Sequence, residues 1–432
     1  MARISILGLG RVGLATGVGF AVNGHDVVCY DIDPMKVRTI SAGKQPYRER
    51  GLIEAFKKTA RSGNLTATSD HDYCLNGSKF YFICVGTPST KDGSMDASYI
   101  REASATLGRA IRGRKDYPII AVKSTVVPGT TNKVVLPIIR RTSRLSADSF
   151  GISMNPEFLR EGTAFEDTMR PDRIVIGCDG NRAGDQLQRL YTDFHSVKWR
   201  CDIMTADMVK YASNSFLATK VTFANEIANM CSRLGLDSDR VLEGMALDSR
   251  IGPKFLVPGA GFGGPCLPKD LKAVISASRK SGYDPRLLRE VLVFNDLQAV
   301  RIVDILQEEI GPLKGKRVAV LGLAFKPETD DARDSRAIPI IDTLLKRRAA
   351  VVVHDPHVSI SGLGVNLPVR EAETARDALR NSDGCILQTA WKEYGQLKED
   401  DFGVMRKAVV VDGRRTLNRS RLPRNITYRR VG

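Results

Sequence analysis

Short apolar runs that end in glycine or polar turns recur along the chain. RISIL at residues 3–7 leads into a glycine turn, HDVVCYDID ends at Asp31, and apolar runs return at residues 79–85 and 118–123. Continuous apolar runs of this length are typical of strands buried on both faces of a parallel sheet. The helical spacing between them predicts an α/β protein in which strands and helices alternate.

The first turn has the pattern of a dinucleotide site. Gly8, Gly10 and Gly13 follow the first strand and open a helix. Backbone N–H groups at a helix N-terminus bind a pyrophosphate when no side chain blocks its approach. Asp31 follows about 20 residues later, where an acid binds the adenosine ribose. This acid favours NAD over NADP, although Lys36 and a neighbouring arginine leave NADP open.

Polar residues follow the next two apolar runs. Thr87 comes after residues 79–85, and Thr125 comes after residues 118–123, so we expect both at the ligand edge of the sheet. Glu157 and Glu161 then stand four residues apart. If their segment is helical, the two carboxylates share a face and suit general-base chemistry. Taken alone, such a pair is more often a solvated helix face.

The stretch from 205 to 235 has the strongest helical pattern. Thr205 is the expected N-cap, Asp207 falls in the expected first turn, and Gly235 is expected to end the helix in a left-handed conformation. At ~1.5 Å per residue the helix is roughly 45 Å long, which suits a spine between domains and the surface of a homodimer. Lys210 and Asn214, one turn apart, project from one side and are expected to bind a substrate oxyanion.

One cysteine stands in a glycine-rich loop, GAGFGGPCLPKD, at residues 259–270. The glycines around Cys266 open an approach to its sulfur, and Lys269 places a positive charge near the thiolate. Asp270 is positioned to order a water or carry a proton. The alternative is a glycine-rich turn around a buried, inert cysteine, which is the usual reading of a single cysteine.

The opening pattern returns in the last third of the chain. RVAVLGLA at 317–324 repeats RISILGLG, and the following run ends at Asp355. Ala324 replaces the second glycine, which crowds a pyrophosphate and predicts a different ligand. We therefore predict two Rossmann-like parallel-sheet domains joined by a helical domain. Their expected bounds are 1–200 for the NAD-binding domain, 201–311 for the central helical domain and 312–432 for the second Rossmann-like domain.

Composition narrows the function classes. The 432 residues are 42% hydrophobic and 26% charged, which excludes a disordered chain. Eight cysteines without a C-x-x-C pair predict reduced thiols and no metal site. The chain shows neither a transmembrane run nor a cleavable signal, so we expect a cytoplasmic protein that does not bind membranes. The net charge of +16 comes from dispersed basic residues, which favours anionic small ligands and a solvated basic surface over nucleic acid.

Seven motifs identify a family. They are GLGRVGL, KSTVVPGT, NPEFLREG, KYASNSFLATK, DSRIGPKFL, GFGGPCLPKD and FKPETDDARDS. With them, in this order, the chain resembles the UDP-glucose/GDP-mannose dehydrogenase family along nearly its whole length. The resemblance implies that NAD oxidises the C6 alcohol of a nucleotide sugar twice, through an aldehyde and a thioester on cysteine, to a uronic acid. UDP-glucose is the favoured substrate, and GDP-mannose, a UDP-N-acetylhexosamine and a non-catalytic sugar-nucleotide sensor remain alternatives.

The resemblance also implies residue roles. Cys266 is the implied nucleophile, Lys210, Asn214 and Asp270 stabilise the oxyanion and handle protons, and Glu161 and Thr125 position the hydrolytic water. The implied cofactor contacts are Gly8, Gly10, Arg11, Val12, Gly13, Asp31, Lys36, Thr87, Thr125, Glu161, Lys269 and Arg333. The implied substrate contacts are Glu157, Phe158, Leu159, Lys210, Asn214, Arg250, Phe255, Gly263, Lys326 and Arg414.

The chain departs from the family pattern at four places. Arg11 replaces an aromatic residue, and the loop PYRERGL departs from the usual E-P-G-L ending. Val257 stands where some members have a substrate-facing lysine, and Pro265 stands where serine is common. None of these departures removes a residue expected to react.

Overall fold

The computed structural model of the chain describes residues 1–44 and 46–431. They form two compact units, one of residues 1–213 with 272–281 and the other of residues 214–271 with 282–432. The domain bounds expected from the sequence stay a prediction, because the helical middle of the chain is shared between these units. Among the described residues, no helix combines the length and the apolar character needed to cross a membrane.

The first unit is built on one eight-stranded sheet. Its strands are β1 (Arg3–Leu7), β2 (Asp26–Tyr30), β3 (Leu65–Thr68), β4 (Phe80–Ile83), β5 (Ile119–Val122), β6 (Gly151–Met154), β7 (Arg173–Gly177) and β8 (Val197–Cys201). They lie in the order β3-β2-β1-β4-β5-β6-β7-β8. All neighbours pair in parallel except β6 and β7, which meet antiparallel at Met154 and Gly177. The first six strands have the order of a dinucleotide-binding sheet, as predicted.

Helices cover both faces of this sheet, and its central strands β4 and β5 are apolar and buried at every position. The helices are α1 (Arg11–Val22), α2 (Pro34–Ser41), α3 (Leu52–Arg61), α4 (His71–Leu75), α5 (Ser98–Ala110), α6 (Leu136–Ser143), α7 (Ala164–Met169) and α8 (Asn181–Leu190). A π-helical turn, Thr131–Val135, leads directly into α6. Ile4 and Ile6 pack into one core cluster while Leu7 and Ile83 pack into another, as alternating side chains of buried strands do.

Two long helices and two shorter ones follow in the middle of the chain. They are α9 (Ile203–Leu234), α10 (Ser238–Ala246), α11 (Leu267–Lys280) and α12 (Arg286–Ile310). The predicted long helix is confirmed as α9, and Gly235 has the expected left-handed φ of 69°.

The predicted start of α9 is wrong. Thr205 lies inside the helix, and Asp202 acts in its place, because its carboxylate accepts a hydrogen bond from Thr205 N at 2.9 Å. Asp207 lies beyond the first turn and is fully buried, with Gly129 N donating to it at 3.1 Å.

The second unit repeats the same topology on a smaller scale. Its strands are β9 (Arg317–Leu321), β10 (Ala350–His354), β11 (Arg370–Glu371), β12 (Gly384–Leu387), β13 (Val409–Asp412) and β14 (Thr427–Arg430), with helices α13 (Ala337–Lys346), α14 (Ala375–Leu379) and α15 (Glu399–Phe402). The order β11-β10-β9-β12-β13-β14 matches that of the first six strands, and every pair is parallel. The predicted internal repeat is therefore confirmed.

Candidate active site

The glycine turn of the first unit is shaped for a close approach. Gly8 has a φ of 101°, and a Cβ on Gly13 would stand 1.8 Å from the carbonyl oxygen of Gly8, so neither position accepts a side chain. A Cβ on Gly10 would meet no atom within 4 Å, so the space above this backbone is open. The turn therefore fits a pyrophosphate at the N-terminus of α1, beside Arg11 and Val12.

Asp31 follows β2 directly and is nearly buried. Its carboxylate accepts hydrogen bonds from Leu9 N at 2.7 Å and from Lys36 Nζ at 2.9 Å. Burial acts to lower the pKa of Lys36, but the bond to Asp31 and nearby charges outweigh it and raise that pKa. The Lys36 ammonium group is thus paired with Asp31 rather than offered to a 2′-phosphate. This pairing favours the ribose diol of NAD over the 2′-phosphate of NADP.

Arg11 connects the glycine turn to the loop that carries Glu161. Its guanidinium lies 3.6 Å from Glu161 and 3.4 Å from Glu49, and it stacks over the Tyr47 ring at 5.0 Å. Glu49 in turn accepts hydrogen bonds from Gly162 N at 3.0 Å and Ala164 N at 2.9 Å. Sequence reasoning missed Glu49, although it lies in the departing PYRERGL loop.

Glu157 pairs with a residue far away in sequence. No helix forms between residues 155 and 163, so the expectation that Glu157 and Glu161 share a helix face is wrong. Glu157 instead accepts a hydrogen bond from Leu159 N at 2.6 Å and lies 2.9 Å from Lys210 Nζ, with both side chains almost wholly buried. Burial acts to raise the pKa of Glu157, but the Lys210 charge and these hydrogen bonds outweigh it and lower the pKa.

A second buried lysine lies nearby. Lys123 at the end of β5 donates to Asn155 Oδ1 at 3.0 Å, and Tyr191 donates to the same oxygen at 2.5 Å. Burial, helped by the neighbouring charge of Lys210 and opposed by Glu157, lowers the pKa of Lys123 to about 8. Lys123 is the first residue of the KSTVVPGT motif, and this position was the only feature of the sequence that could have identified it as a candidate site residue.

The two predicted threonine turns are held together. The Thr87 hydroxyl donates to Thr125 O at 2.9 Å, which fixes the ends of β4 and β5 against each other. Phe158 lies in the same unit, with Arg173 stacked on its ring at 3.8 Å and Lys210 Nζ 5.6 Å from the ring centre.

In the second unit, Cys266 immediately precedes α11. Asp270 N donates to Cys266 O at 2.9 Å, so the cysteine joins the first helical turn, where the helix dipole favours a thiolate. The side chain of Cys266 is partly exposed. Asp270 is 1% exposed and accepts hydrogen bonds from Asn214 Nδ2 at 2.6 Å and Lys269 Nζ at 2.7 Å. These four predicted residues therefore form one group.

The loop before Cys266 presses against the second sheet. A Cβ on Gly259 would stand 2.3 Å from Gly413 O, and one on Gly263 would stand 2.4 Å from Asp334 O. A Cβ on Gly264 would be 2.5 Å from the Phe325 ring. The glycines therefore permit close packing of this loop, as well as any approach of substrate.

Arg414 and Arg336 bring two guanidinium groups to this region. Arg414 donates to Gly261 O at 2.9 Å and to Gln388 O at 2.8 Å. Burial, together with the charge of Arg336, lowers the pKa of Arg414 to about 10. Arg336, which sequence reasoning missed, is itself nearly buried. Two such charges suit a diphosphate.

In the second turn, as in the first, an aspartate after the second strand accepts a backbone N–H group of the glycine turn. Leu323 N and Ala324 N donate to Asp355 at 2.6 and 2.9 Å, and Trp391 Nε1 donates to the same carboxylate oxygen at 3.0 Å. Asp355 thus accepts a hydrogen bond from Leu323 N as Asp31 does from Leu9 N, and it also accepts hydrogen bonds from Ala324 N and Trp391 Nε1. Ala324 adds a methyl group where the first turn has the open position of Gly10, which agrees with the sequence prediction that the second half binds a different ligand.

The remaining predicted residues lie on the surface or within local pairs. Arg250 is exposed and pairs with Asp248 at 2.6 Å. Phe255 is 37% exposed and has a φ of 66°, a strained conformation for a bulky residue. Arg333 donates through Nε to the nearby Asp331 at 2.9 Å, and Lys326 Nζ lies 5.7 Å from the centre of the adjacent Phe325 ring.

Comparison with known proteins gives one family for three successive parts of the chain. Residues 2–195 match the NAD binding domain of the UDP-glucose/GDP-mannose dehydrogenase family. Residues 204–297 match its central domain, and residues 319–419 match its UDP binding domain.

Individual relatives match over almost their whole length. The chain is 44% identical to a UDP-glucose 6-dehydrogenase of Haloferax volcanii over 96% of this chain and 97% of the relative. A solved UDP-glucose dehydrogenase of Pyrobaculum islandicum is 40% identical, with a TM-score of 0.91 over 99% of this chain and 97% of that one. A solved UDP-D-ManNAc dehydrogenase of Pyrococcus horikoshii is 27% identical, with a TM-score of 0.88 over 99% of both chains.

Proposed function

Because the chain belongs to the UDP-glucose/GDP-mannose dehydrogenase family, we propose that it oxidises the C6 alcohol of UDP-glucose to the carboxylate of UDP-glucuronate with NAD. The observation that carries this proposal is the group around Cys266. A partly exposed thiol begins a helix, and a buried carboxylate, Asp270, lies in the same helical turn between an amide and an ammonium group. A non-catalytic sensor of nucleotide sugars needs no such group.

The first unit supplies the cofactor site of this proposal. Gly8, Gly10 and Gly13 are proposed to admit the pyrophosphate, and Asp31 is proposed to accept the ribose hydroxyls, which the open space at Gly10 and the position of Asp31 beside Leu9 N support. Thr87, Thr125 and Glu161 are the further proposed contacts from this unit, and Lys269 and Arg333 are proposed contacts from the second unit. NAD, when bound, accepts the hydride in each of the two oxidations.

The chain's own residues carry the covalent steps. The Cys266 sulfur attacks the C6 aldehyde, and Lys210 and Asn214 are proposed to stabilise the oxyanion of the resulting thiohemiacetal. The second oxidation converts this adduct to a thioester. A water ordered by Asp270 or Glu161 then attacks the thioester carbonyl, releases the thiol and leaves the uronate.

The second unit supplies the proposed sugar-nucleotide contacts. Arg414 offers a guanidinium to the diphosphate, and Lys326, Arg250 and Phe255 are the further contacts, with Gly263 leaving room near the thiol. In the first unit, Glu157, Phe158 and Leu159 are proposed to line the sugar. The identity to UDP-glucose dehydrogenases favours UDP-glucose, and the likeness to a UDP-D-ManNAc dehydrogenase keeps an N-acetylated sugar as the second candidate.

The protein is further proposed to be a cytoplasmic homodimer. Phe216, Phe223 and Met230 are exposed on α9 at intervals of seven residues, so they form one apolar stripe along the helix. An exposed stripe of this kind is typical of an interface between subunits.

A substrate panel tests the activity directly. Each reaction contains the purified protein, NAD and one of three nucleotide sugars: UDP-glucose, GDP-mannose or UDP-N-acetylmannosamine. The reduced cofactor is followed by its absorbance. We expect the highest kcat/KM with UDP-glucose. A higher value with another sugar would change the substrate, and tight binding without any reduction of NAD would favour the sensor.

A further inference from the structure

A buried amide on α12 pairs with the backbone of the cysteine loop, residues 259–266. Asn295 is 4% exposed, and its Oδ1 accepts a hydrogen bond from Phe262 N at 2.8 Å. Its Nδ2 donates to Phe262 O at 2.9 Å. One side chain thus satisfies both polar groups of a buried peptide residue, as a neighbouring strand would. Phe262 lies four residues before Cys266.

The loop is adapted to this contact. A Cβ on Gly261 would stand 2.4 Å from Asn295 Oδ1, and Gly261 has a φ of 96°. Only glycine combines this conformation with so close an approach to the amide. The glycine at 261 and the asparagine at 295 therefore form a matched pair.

Asn295 also meets the segment that carries Arg336. Its backbone oxygen accepts a hydrogen bond from Arg336 Nη2 at 2.7 Å, while Arg336 Nη1 lies 3.2 Å from the adjacent Asp296. The Arg336 segment in turn touches the loop, since Asp334 O lies 2.4 Å from where a Gly263 Cβ would be. Asn295 therefore lies where the loop, α12 and this segment come together.

Other amides hold the loop farther from the cysteine. Gln298 Nε2 donates to Gly259 O at 2.9 Å, and Asn225 Oδ1 accepts from Gly259 N at 2.7 Å. These contacts secure the start of the loop, seven residues before Cys266. Asn295 acts on the part of the loop that leads into the reactive turn.

We propose that Asn295 is a positioning residue that holds the loop so that the Cys266 sulfur faces the reacting carbon. Asn295 does not touch the substrate itself; it acts through Phe262 and the glycine turn. The inference rests on the proposed role of Cys266 as nucleophile. A misplacement of about 1 Å in a reacting group costs on the order of 100-fold in rate.

Two substitutions of Asn295 distinguish the effect of side-chain volume from the effect of the hydrogen bonds to Phe262. Asn295→Asp keeps the shape and the acceptor for Phe262 N, but it places a carboxylate oxygen against Phe262 O where the amide donates. Asn295→Ala removes both hydrogen bonds. The control is Gln307→Ala on the same helix, whose amide oxygen accepts from Arg347 at 3.1 Å and lies outside the loop contacts described above.

Three readouts decide the proposal on the full-length chain. Thermal unfolding shows whether each variant is folded, steady-state kinetics separate kcat from KM, and mass spectrometry follows iodoacetamide alkylation of Cys266 without cofactor or sugar. For both Asn295 variants we expect kcat to fall on the order of 100-fold with KM changed less than about threefold. We expect Cys266 alkylation to become several-fold faster as the loop loosens, and Gln307→Ala to resemble the unmodified protein.

The outcomes are distinguishable. The proposal is overturned if a folded Asn295 variant keeps kcat and the alkylation rate within about twofold, or if only KM changes. Asn295→Asp, which conserves volume, decides the matter if Asn295→Ala does not fold. If the unmodified protein oxidises no nucleotide sugar, the proposed function fails, and the alkylation comparison still tests the positioning role of Asn295.

Discussion

The ion pair of Glu157 and Lys210 leads to a prediction about the free energy of unfolding when one of the two residues is replaced. Their side chains are 8% and 4% exposed, so loss of one partner leaves the other buried charge without its ion pair. We expect Lys210→Met to lower the free energy of unfolding at pH 7 by about 3–5 kcal/mol in urea titrations. Adding Glu157→Gln should recover most of this loss. A double variant as unstable as Lys210→Met alone would contradict the assigned pairing.

Asp31 makes a residue-scale prediction about cofactor choice. In Asp31→Ala the repulsion of a 2′-phosphate is lost and Lys36 is released from its 2.9 Å bond. The ratio of kcat/KM for NAD to that for NADP should therefore fall by roughly tenfold or more. Asp33→Ala, which only removes the N-cap of α2, should keep the preference. Equal use of both cofactors by the unmodified protein would show that Asp31 does not face the ribose.

Sequence reasoning selected candidate residues whose motif neighbours are local. Asp31 and Asp270 could be named as candidates because a glycine turn or a cysteine stands at a fixed distance along the chain. Asn295, Glu49 and Arg336 were missed because their partners lie far away in sequence. An amide on a helix carries no signal that it will pair with the backbone of a residue such as Phe262, 33 positions earlier.

At the scale of elements, Asp207 joins α9 to the turn after β5. Gly129 N donates to its carboxylate at 3.1 Å, and the Thr131 hydroxyl lies at 3.5 Å. Burial raises the pKa of Asp207 to about 8, well above its ordinary value. The folded protein therefore holds a proton that the unfolded chain releases, and this contribution to stability is lost as pH rises from about 4 through about 8.

A variant tests this titration. Asp207→Asn cannot ionise, and its amide still offers an oxygen to Gly129 N. Relative to the unmodified protein it should gain stability between pH 5 and pH 9 in thermal unfolding, with the largest difference above about pH 8. A difference that does not change with pH would mean that Asp207 keeps its ordinary pKa.

The apolar stripe on α9 predicts the subunit interface. Phe223→Glu places a charge in the stripe without disturbing the core, because Phe223 is 47% exposed. Sedimentation should show a shift from dimer to monomer at micromolar concentration. Ser232→Glu, about half a helical turn away around the axis, is the matched control and should remain a dimer. A Phe223→Glu dimer of unchanged stability would place the interface elsewhere.

The presence of strands and long helices was easier to predict than the residues at which they end or the segments that form no regular element. The strands followed from apolar runs, and α9 followed from its periodicity. The prediction of a helix that contains Glu157 and Glu161 was wrong because the Glu157 carboxylate accepts a hydrogen bond from Leu159 N. This local bond competes with helix formation. The predicted start of α9 was wrong because Asp202 caps the helix more effectively than Thr205. The apolar pattern alone does not reveal this difference in capping.

At the scale of the whole molecule, one topology serves two ligands. Both sheets share a strand order, and Asp31 and Asp355 each accept a backbone N–H group of their glycine turn, but the open position of Gly10 in the first turn is Ala324 in the second. Ala324 in place of glycine was visible in the sequence, and so the difference in ligand was predicted. The hydrogen bonds that Ala324 N and Trp391 Nε1 donate to Asp355 required the structure, because the sequence around Asp355 resembles that around Asp31.

The central claim is that one enzyme removes four electrons from one sugar through Cys266. The most direct test counts reduced cofactor per UDP-glucose consumed, for the unmodified protein and for Cys266→Ala. We expect two NADH per sugar and UDP-glucuronate from the unmodified protein. We expect Cys266→Ala to bind UDP-glucose but to form uronate slower by several orders of magnitude. One NADH per sugar, or near-normal turnover by Cys266→Ala, would contradict the covalent mechanism.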